Sequence, residues 1–333
     1  MDATALVCDK QQNISLLNVR LKEPDADDLV VRTLYSGVSP GTELALLQNK
    51  ISWGPFPLCT GYQGVGVVEA VGANVHDFKP GERVYYRGNT PMTTPGGEPI
   101  SPVSGTHCSH AVVPPGRIGT AVLPEGVDPA SASLFVMPAV GLAGVDMANP
   151  RIGASVIVHG VGPIGLGVVA ACAHRGCRVI AIDLDDHRLK LAAAFGAEQL
   201  INATKKPAAE QVADLLPDGA DVVFEATGLP SCIDPAIRMC RTFGTFVWQG
   251  NYGAQPIQMQ FMEAHMRRLT MYFPCDDGGP ACRHAVLSNM ARGGLAWDRT
   301  ITHRVSASDA PALYTRMLAG QAGDVIGAVV QWE

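Results

Sequence analysis

Among the nine cysteines of this 333-residue chain (Cys8, Cys59, Cys108, Cys172, Cys177, Cys232, Cys240, Cys275 and Cys282) no two have the C-x-x-C spacing. An odd number of scattered thiols in a chain of this length argues against a disulfide framework and reads as reduced, mostly small apolar residues. Charge is sparse as well. Only 17% of residues are Asp, Glu, Lys or Arg and the net charge is −6, which leaves no basic excess for a nucleic-acid footprint. No uninterrupted apolar run approaches the roughly 20 residues of a membrane span. The opening Met1-Asp2-Ala3-Thr4 lacks the basic start and long apolar core of a signal peptide. Internal repeats and low-complexity tracts are absent too. The expectation is a soluble, cytoplasmic protein of about two domains that acts on a small molecule, with neither nucleic acid nor membrane as partner.

What is present divides the chain by texture. Up to about residue 125, short apolar runs (29–34, 64–71, 83–86, 109–113) alternate with Gly and Pro, which predicts a β-rich, barrel-like or sandwich domain. Residues 88–106, rich in Gly, Pro, Ser and Thr, read as a loop. From about residue 128 helix and strand patterns alternate. Helices are expected over 129–148, 163–175, 185–195, 207–216 and 231–241, with strands over 155–159, 178–182, 198–201, 221–225, 244–249 and 268–273. Such alternation calls for a doubly wound parallel sheet, hence an α/β fold. The tail is mixed: a helix near 280–292, a strand at 301–305, a helix near 308–319 and a last strand at 327–332. The expected domains are 1–127, 128–275, and a C-terminal return over 276–333.

The richest motif is Gly160-Val161-Gly162-Pro163-Ile164-Gly165. It follows the apolar run Ser155-Val156-Ile157-Val158-His159 and precedes a second run, Arg178-Val179-Ile180-Ala181-Ile182, that stops on Asp183. Strand, tight turn, helix, strand and acid together form a dinucleotide fingerprint. Gly160 permits the turn, Gly162 lets a pyrophosphate approach the backbone, and Gly165 lets the helix pack on the strand. The helix amides face the phosphates. Asp183 sits where an acid accepts the adenosine ribose hydroxyls, and it would repel a 2′-phosphate, so NAD is expected over NADP. Arg188 either stacks on adenine or faces solvent. Thr227, Gly250 and Asn251 follow strands that end at the sheet's carboxyl edge, so they either touch the ribose and nicotinamide or simply form loops.

Ser36-Gly37-Val38-Ser39, Gly61-Tyr62-Gln63-Gly64-Val65-Gly66-Val67-Val68, Val71-Gly72, Phe78-Lys79-Pro80-Gly81-Glu82-Arg83-Val84, the glycine turn and Phe224-Glu225-Ala226-Thr227-Gly228 span nearly the whole chain. Their order resembles the medium-chain dehydrogenase/reductase superfamily, in which a GroES-like catalytic domain is split around a Rossmann domain. The resemblance implies that fold, hydride chemistry in a cleft between the domains, and a homodimer paired through the last strand of the cofactor sheet, here residues 269–273. It also implies what is missing. Zinc-dependent members carry Cys at the position of Ser39, Gly-His-Glu at Gly61-Tyr62-Gln63, and a further Cys or Glu near Met137-Pro138-Ala139. The four-Cys lobe expected between residues 84 and 105 has no Cys here. Neither metal is therefore expected. Ser36-Gly37-Val38-Ser39-Pro40-Gly41-Thr42-Glu43, Gly61-Tyr62, Ile301-Thr302-His303-Arg304 and Gln331-Trp332 are similar to the bacteriochlorophyllide dehydrogenase branch, which oxidises a hydroxyethyl group on a pigment precursor with NAD.

Without zinc, protic side chains must manage the substrate oxygen. Tyr62 is either a donor to the developing oxyanion or a ring that fills the vacated metal position. Ser39 is a second donor or structural. Thr42 lies on the nicotinamide side, Glu43 is an acid/base or fixes a helix start, and Gln63 orients a substrate oxygen or satisfies the backbone. His107 and His110, flanking Cys108, fall on opposite faces of a strand and make a poor metal pair. His303 reads as packing or interdomain bonding. His159 lines the cofactor or packs the strand end. The leading expectation is a zinc-independent NAD-dependent alcohol dehydrogenase or carbonyl reductase. Reduction of an activated C=C bond and non-catalytic NAD binding stand as alternatives.

Overall fold

The computed structural model describes residues 1–114 and 119–332. Two compact units emerge: Met1–Phe135 together with Leu287–Glu333, and Val136–Val286. The texture of the sequence put the junctions after residues 127 and 275.

The first unit holds a closed five-stranded barrel of Asp2–Cys8, Ile14–Leu21, Met92–Thr93, Pro99–Pro102 and Leu58–Cys59. A larger sheet runs in the order Ala121–Val122, Arg83–Tyr86, Gly64–Val71, Leu29–Val38, Gly327–Gln331, Ile301–Ser306, and His110–Val113 also pairs with Leu29–Val38. The C-terminal return is thus built into the sheet: Ala328 to Gln331 lie antiparallel to Val38 through Tyr35. The loop expected over 88–106 contains two strands. They are short, and Pro99 opens one of them, a position where the missing N–H costs no ladder bond. Met92 and Ile100, both buried, point each strand into the barrel core.

The second unit is a six-stranded parallel sheet ordered Gln199–Asn202, Arg178–Asp183, Ser155–His159, Ala220–Glu225, Cys240–Trp248, Thr270–Tyr272. Its central strands are apolar on both faces, as a sheet covered by helices requires. Ile157, Ile180, Val223 and Phe246 form the core under the helices Ala208–Leu215 and Ile233–Arg238.

Two helices differ from expectation. The stretch 129–148 breaks into Pro129–Ala132 and Val136–Ala148. Pro138 has no N–H to bond one turn back, so the second helix starts just ahead of it. The stretch 231–241 is a 3-10 turn, Pro230–Cys232, then a helix ending at Arg238, and Cys240 already begins the next strand. That strand bulges between its pairings with Ala220 and Val222. Phe243, at φ 59°, makes the bend that let residues 240–243 pass for helix and turn.

Candidate active site

In the first unit the chain turns from the strand Leu29–Val38 into the helix Pro40–Leu47, with Ser39 as N-cap and proline at the first helical position. The turn places Glu43 in the first helical turn, where it is fully buried. Its Oε1 accepts the Ser39 backbone N–H at 2.8 Å. Around Oε2 stand the Thr60 hydroxyl (3.0 Å), the Tyr314 phenol (2.6 Å) and His107 Nε2 (2.9 Å). Burial pushes the Glu43 carboxyl up, but His107, Tyr314 and the Ser39 amide outweigh it and hold it below the usual carboxylate range.

The His107 tautomer follows from its neighbours. Trp332 Nε1 can only donate, and it donates to Ser36 Oγ at 2.8 Å. The Ser36 proton then goes to His107 Nδ1 at 2.7 Å, and Nε2–H faces Glu43. Glu43 thus caps its helix and binds four elements together.

Tyr62 and Ser39 meet directly. The phenol donates to Ser39 Oγ, and the Thr42 side chain bonds the same phenol. Burial pushes the Tyr62 hydroxyl up to about 12. Arg87 lies over the ring, 5.8 Å from its centroid, and donates to the Tyr62 carbonyl. Gln63 is fully buried, and its carbonyl accepts from Gly37 N and Thr106 Oγ1. Ser39, Thr42, Glu43 and Tyr62 therefore form one cluster. Ser36, Thr60, Tyr314, Trp332 and Arg87 belong to it but went unnoticed as functional residues, and His107 was weighed only as a metal ligand. Tyr314 lies 271 positions from Glu43, and no local pattern joins them. His110 instead faces Glu69 (3.5 Å), and His303 faces Thr302 and Asp324 within its own unit.

In the second unit the glycine turn has the expected construction. Gly160 takes φ 92°, and a Cβ there would stand 2.9 Å from Thr227 N. A Cβ on Gly165 would lie 2.0 Å from the Gly160 carbonyl, so only glycine lets the helix Pro163–His174 sit this close to the strand end. Around Gly162, the helix N-cap, the space is open. Pro163 and Ile164 open the helix. Asp183 Oδ2 accepts Val161 N (2.8 Å), while Oδ1 accepts Leu184 N (2.8 Å) and Asp185 N (3.1 Å). A carboxylate has about four acceptor sites. Three are used by backbone, and the one left, on Oδ2, lies beside the glycine turn. Arg188 stands at the start of the helix Asp186–Ala194, with its Nε buried.

Thr227 is committed: it donates to Glu225 and accepts from Leu229 N at 3.0 Å. Gly250 packs on Gly228, where a Cβ would meet Gly228 N at 2.6 Å, and Asn251 Oδ1 accepts Gly253 N. Met137 is buried in the helix Val136–Ala148.

Comparison with known proteins agrees with this architecture. Residues 25–124 match the alcohol dehydrogenase GroES-like domain, and residues 163–275 match the zinc-binding dehydrogenase domain. The sorbitol dehydrogenase 2 of Saccharomyces cerevisiae is 31% identical, with 82% of each chain covered. The chain is a medium-chain dehydrogenase/reductase. Another member, the L-threonine 3-dehydrogenase of Saccharopolyspora erythraea, is 28% identical over 91% of this chain and 92% of its own. A solved structure described as a zinc-binding dehydrogenase from Sinorhizobium meliloti 1021, bound to NADP, superposes with a TM-score of 0.85 at 24% identity over 99% of each chain. As a medium-chain dehydrogenase/reductase the chain is an oxidoreductase of a family that uses NAD or NADP. Among the described residues no helix is long and apolar enough to cross a membrane.

Proposed function

We propose that this chain moves hydride between NAD(H) and an alcohol or carbonyl carbon without a catalytic zinc. The observation that carries the reading is the Tyr62–Ser39 hydroxyl pair. Zinc takes thiolate, imidazole or carboxylate donors. At the corresponding positions this chain offers an aliphatic hydroxyl, a phenol that stays protonated at neutral pH, the Gln63 amide and the Met137 thioether. That set does not fit zinc.

What the pair can do is hydrogen-bond. The phenol proton is spent on Ser39 Oγ, so the Ser39 proton is left for a substrate oxygen, and the donation from Tyr62 strengthens it. In carbonyl reduction Ser39 would hold the substrate oxygen and pass it one proton, replaced from water, while a bound nicotinamide would supply the hydride. Alcohol oxidation is the same path reversed. The bound nicotinamide supplies the redox step, and the chain's own residues orient the oxygen and hold its proton. Thr42 belongs to the same hydroxyl chain, whereas Glu43 and Gln63 position it from behind.

Asp183 supports NAD over NADP, because its remaining acceptor site suits a ribose hydroxyl and its charge opposes a 2′-phosphate. The sheet ends at the strand Thr270–Tyr272, whose outer edge pairs with no strand among the described residues, and Phe273 beside it is 65% exposed. A homodimer formed by pairing this edge with that of a second copy is part of the proposal.

The test is a steady-state assay on protein dialysed against a chelator, with secondary alcohols, aldehydes and a 2-alkenal, each with NAD(H) and NADP(H). Retained alcohol or carbonyl turnover with NAD(H) preferred is expected. Activity that is lost on chelation and restored by zinc overturns the metal-free mechanism, and turnover confined to the alkenal C=C bond overturns the reaction class.

A further inference from the structure

We infer that the carboxyl end of the parallel sheet carries a binding site for one borderline-soft divalent cation of the zinc class, ligated by His159, Glu225 and Cys232. The proposal involves none of the residues at Ser39 and Tyr62, and because His159 adjoins the glycine turn it is tested without nucleotide.

His159 and Glu225 are paired residues on adjacent parallel strands, so their side chains leave the same face of the sheet. Cys232 ends the 3-10 turn Pro230–Cys232 that follows. One ligand atom from each residue, an imidazole nitrogen, a thiol sulfur and a carboxylate oxygen, lies within 4.8 Å of the other two. A tetrahedral zinc with bonds of about 2.0–2.3 Å brings its ligand atoms to about 3.5 Å of one another. The trio stands at a separation from which a bound ion would draw it closer, and the half-buried Cys232 is the member with most room to move.

A second observation points to a ligand. His159 is 9% exposed, yet its Nδ1 is buried with no hydrogen-bond partner. A buried polar nitrogen left unpaired is unfavourable, and a metal bond to it removes that cost.

Glu225 is fully buried, and the donors that hold it are neutral: Thr227 N at 3.0 Å, the Thr227 hydroxyl and the Tyr252 phenol. Imidazole, thiolate and carboxylate are the three zinc donors, and three protein ligands leave a fourth position for water. Cys232, the most exposed of the three, gives the ion a way in.

The site has a practical consequence. Zinc found at one equivalent in the purified protein would reside here, so stoichiometry alone says nothing about zinc in catalysis; only dependence of activity on the metal does.

The test uses the full chain stripped with a chelator and titrated with Co²⁺ in the absence of nucleotide and substrate. The expected result is one equivalent bound with a sulfur-to-cobalt charge-transfer band that zinc abolishes by displacement. Cys232→Ser should remove the band, His159→Gln should weaken binding about tenfold or more, and Cys275→Ser, which changes another exposed thiol, should leave the band intact. Absence of the band, or a band that survives Cys232→Ser or vanishes in Cys275→Ser, overturns the proposal. Far-UV circular dichroism establishes that each variant is folded. Should His159→Gln fail that check, the partly exposed Cys232→Ser decides alone.

Discussion

Two buried acids show how neighbours set a side chain's role. Glu43 and Glu225 are both fully buried, yet Glu43 has a histidine on one oxygen and Glu225 only neutral donors. For Glu43 the consequence is a pH dependence. Its folded carboxyl lies below the usual range, so its contribution to stability is complete above the unfolded value of about 4.3 and is lost as pH falls through the folded one. Glu43→Gln puts an amide donor among other donors and should lower stability by about 3 kcal/mol at pH 7. Calorimetric melting from pH 7 down to pH 3 should also show a shallower acid limb than the wild type. Tyr62→Phe tests the hydroxyl pair. Removing the phenol that donates to Ser39 Oγ weakens the Ser39 donor and should lower kcat by about tenfold or more, and NADH affinity, measured by fluorescence, should stay as it was. Unchanged turnover would remove the phenol from the mechanism.

At the scale of elements, the glycine turn was legible in full because every part of it is local. Strand, turn, helix and Asp183 lie within a single stretch, and each residue's requirement is steric or electrostatic at close range. Asp183→Ala should weaken NADH binding and narrow the gap to NADPH in a paired fluorescence titration. The same substitution frees three backbone amides, those of Val161, Leu184 and Asp185, so some loss of NADPH affinity should accompany it. The carboxylate cluster was only half legible. The sequence points to Ser39 and Tyr62 through the positions of the family's metal ligands and to Thr42 and Glu43 through the turn at Pro40-Gly41, but it holds no sign that Ser36, Thr60, His107, Tyr314 and Trp332 converge on them. Those five come from a strand, two loops, a helix and the residue after the last strand, and side chains from distant elements meet only when a closed sheet has formed. The strands within 88–106 were hidden for a related reason: two to four residues carry too little periodicity to outweigh the surrounding Gly and Pro.

For the whole molecule, the edge strand Thr270–Tyr272 is the feature with consequences beyond one chain. Its unpaired ladder and the exposed Phe273 form a surface that an isolated protomer would leave to water. Phe273→Glu adds charge beside that edge. Light scattering after size exclusion should show the wild type as a dimer and the variant as a monomer. A monomeric wild type would sink the dimer. The order of elements, the α/β class, the dinucleotide turn and the missing zinc donors were all decided by the sequence itself, because periodicity, glycine placement and ligand chemistry are properties of residue type and short spacing. Which groups surround Glu43, which hydroxyl Tyr62 donates to, and which histidine nitrogen stands unpaired near a thiol were decided by tertiary structure alone. Those roles depend on burial and on partners far away in the chain, and neither exists until the chain is folded.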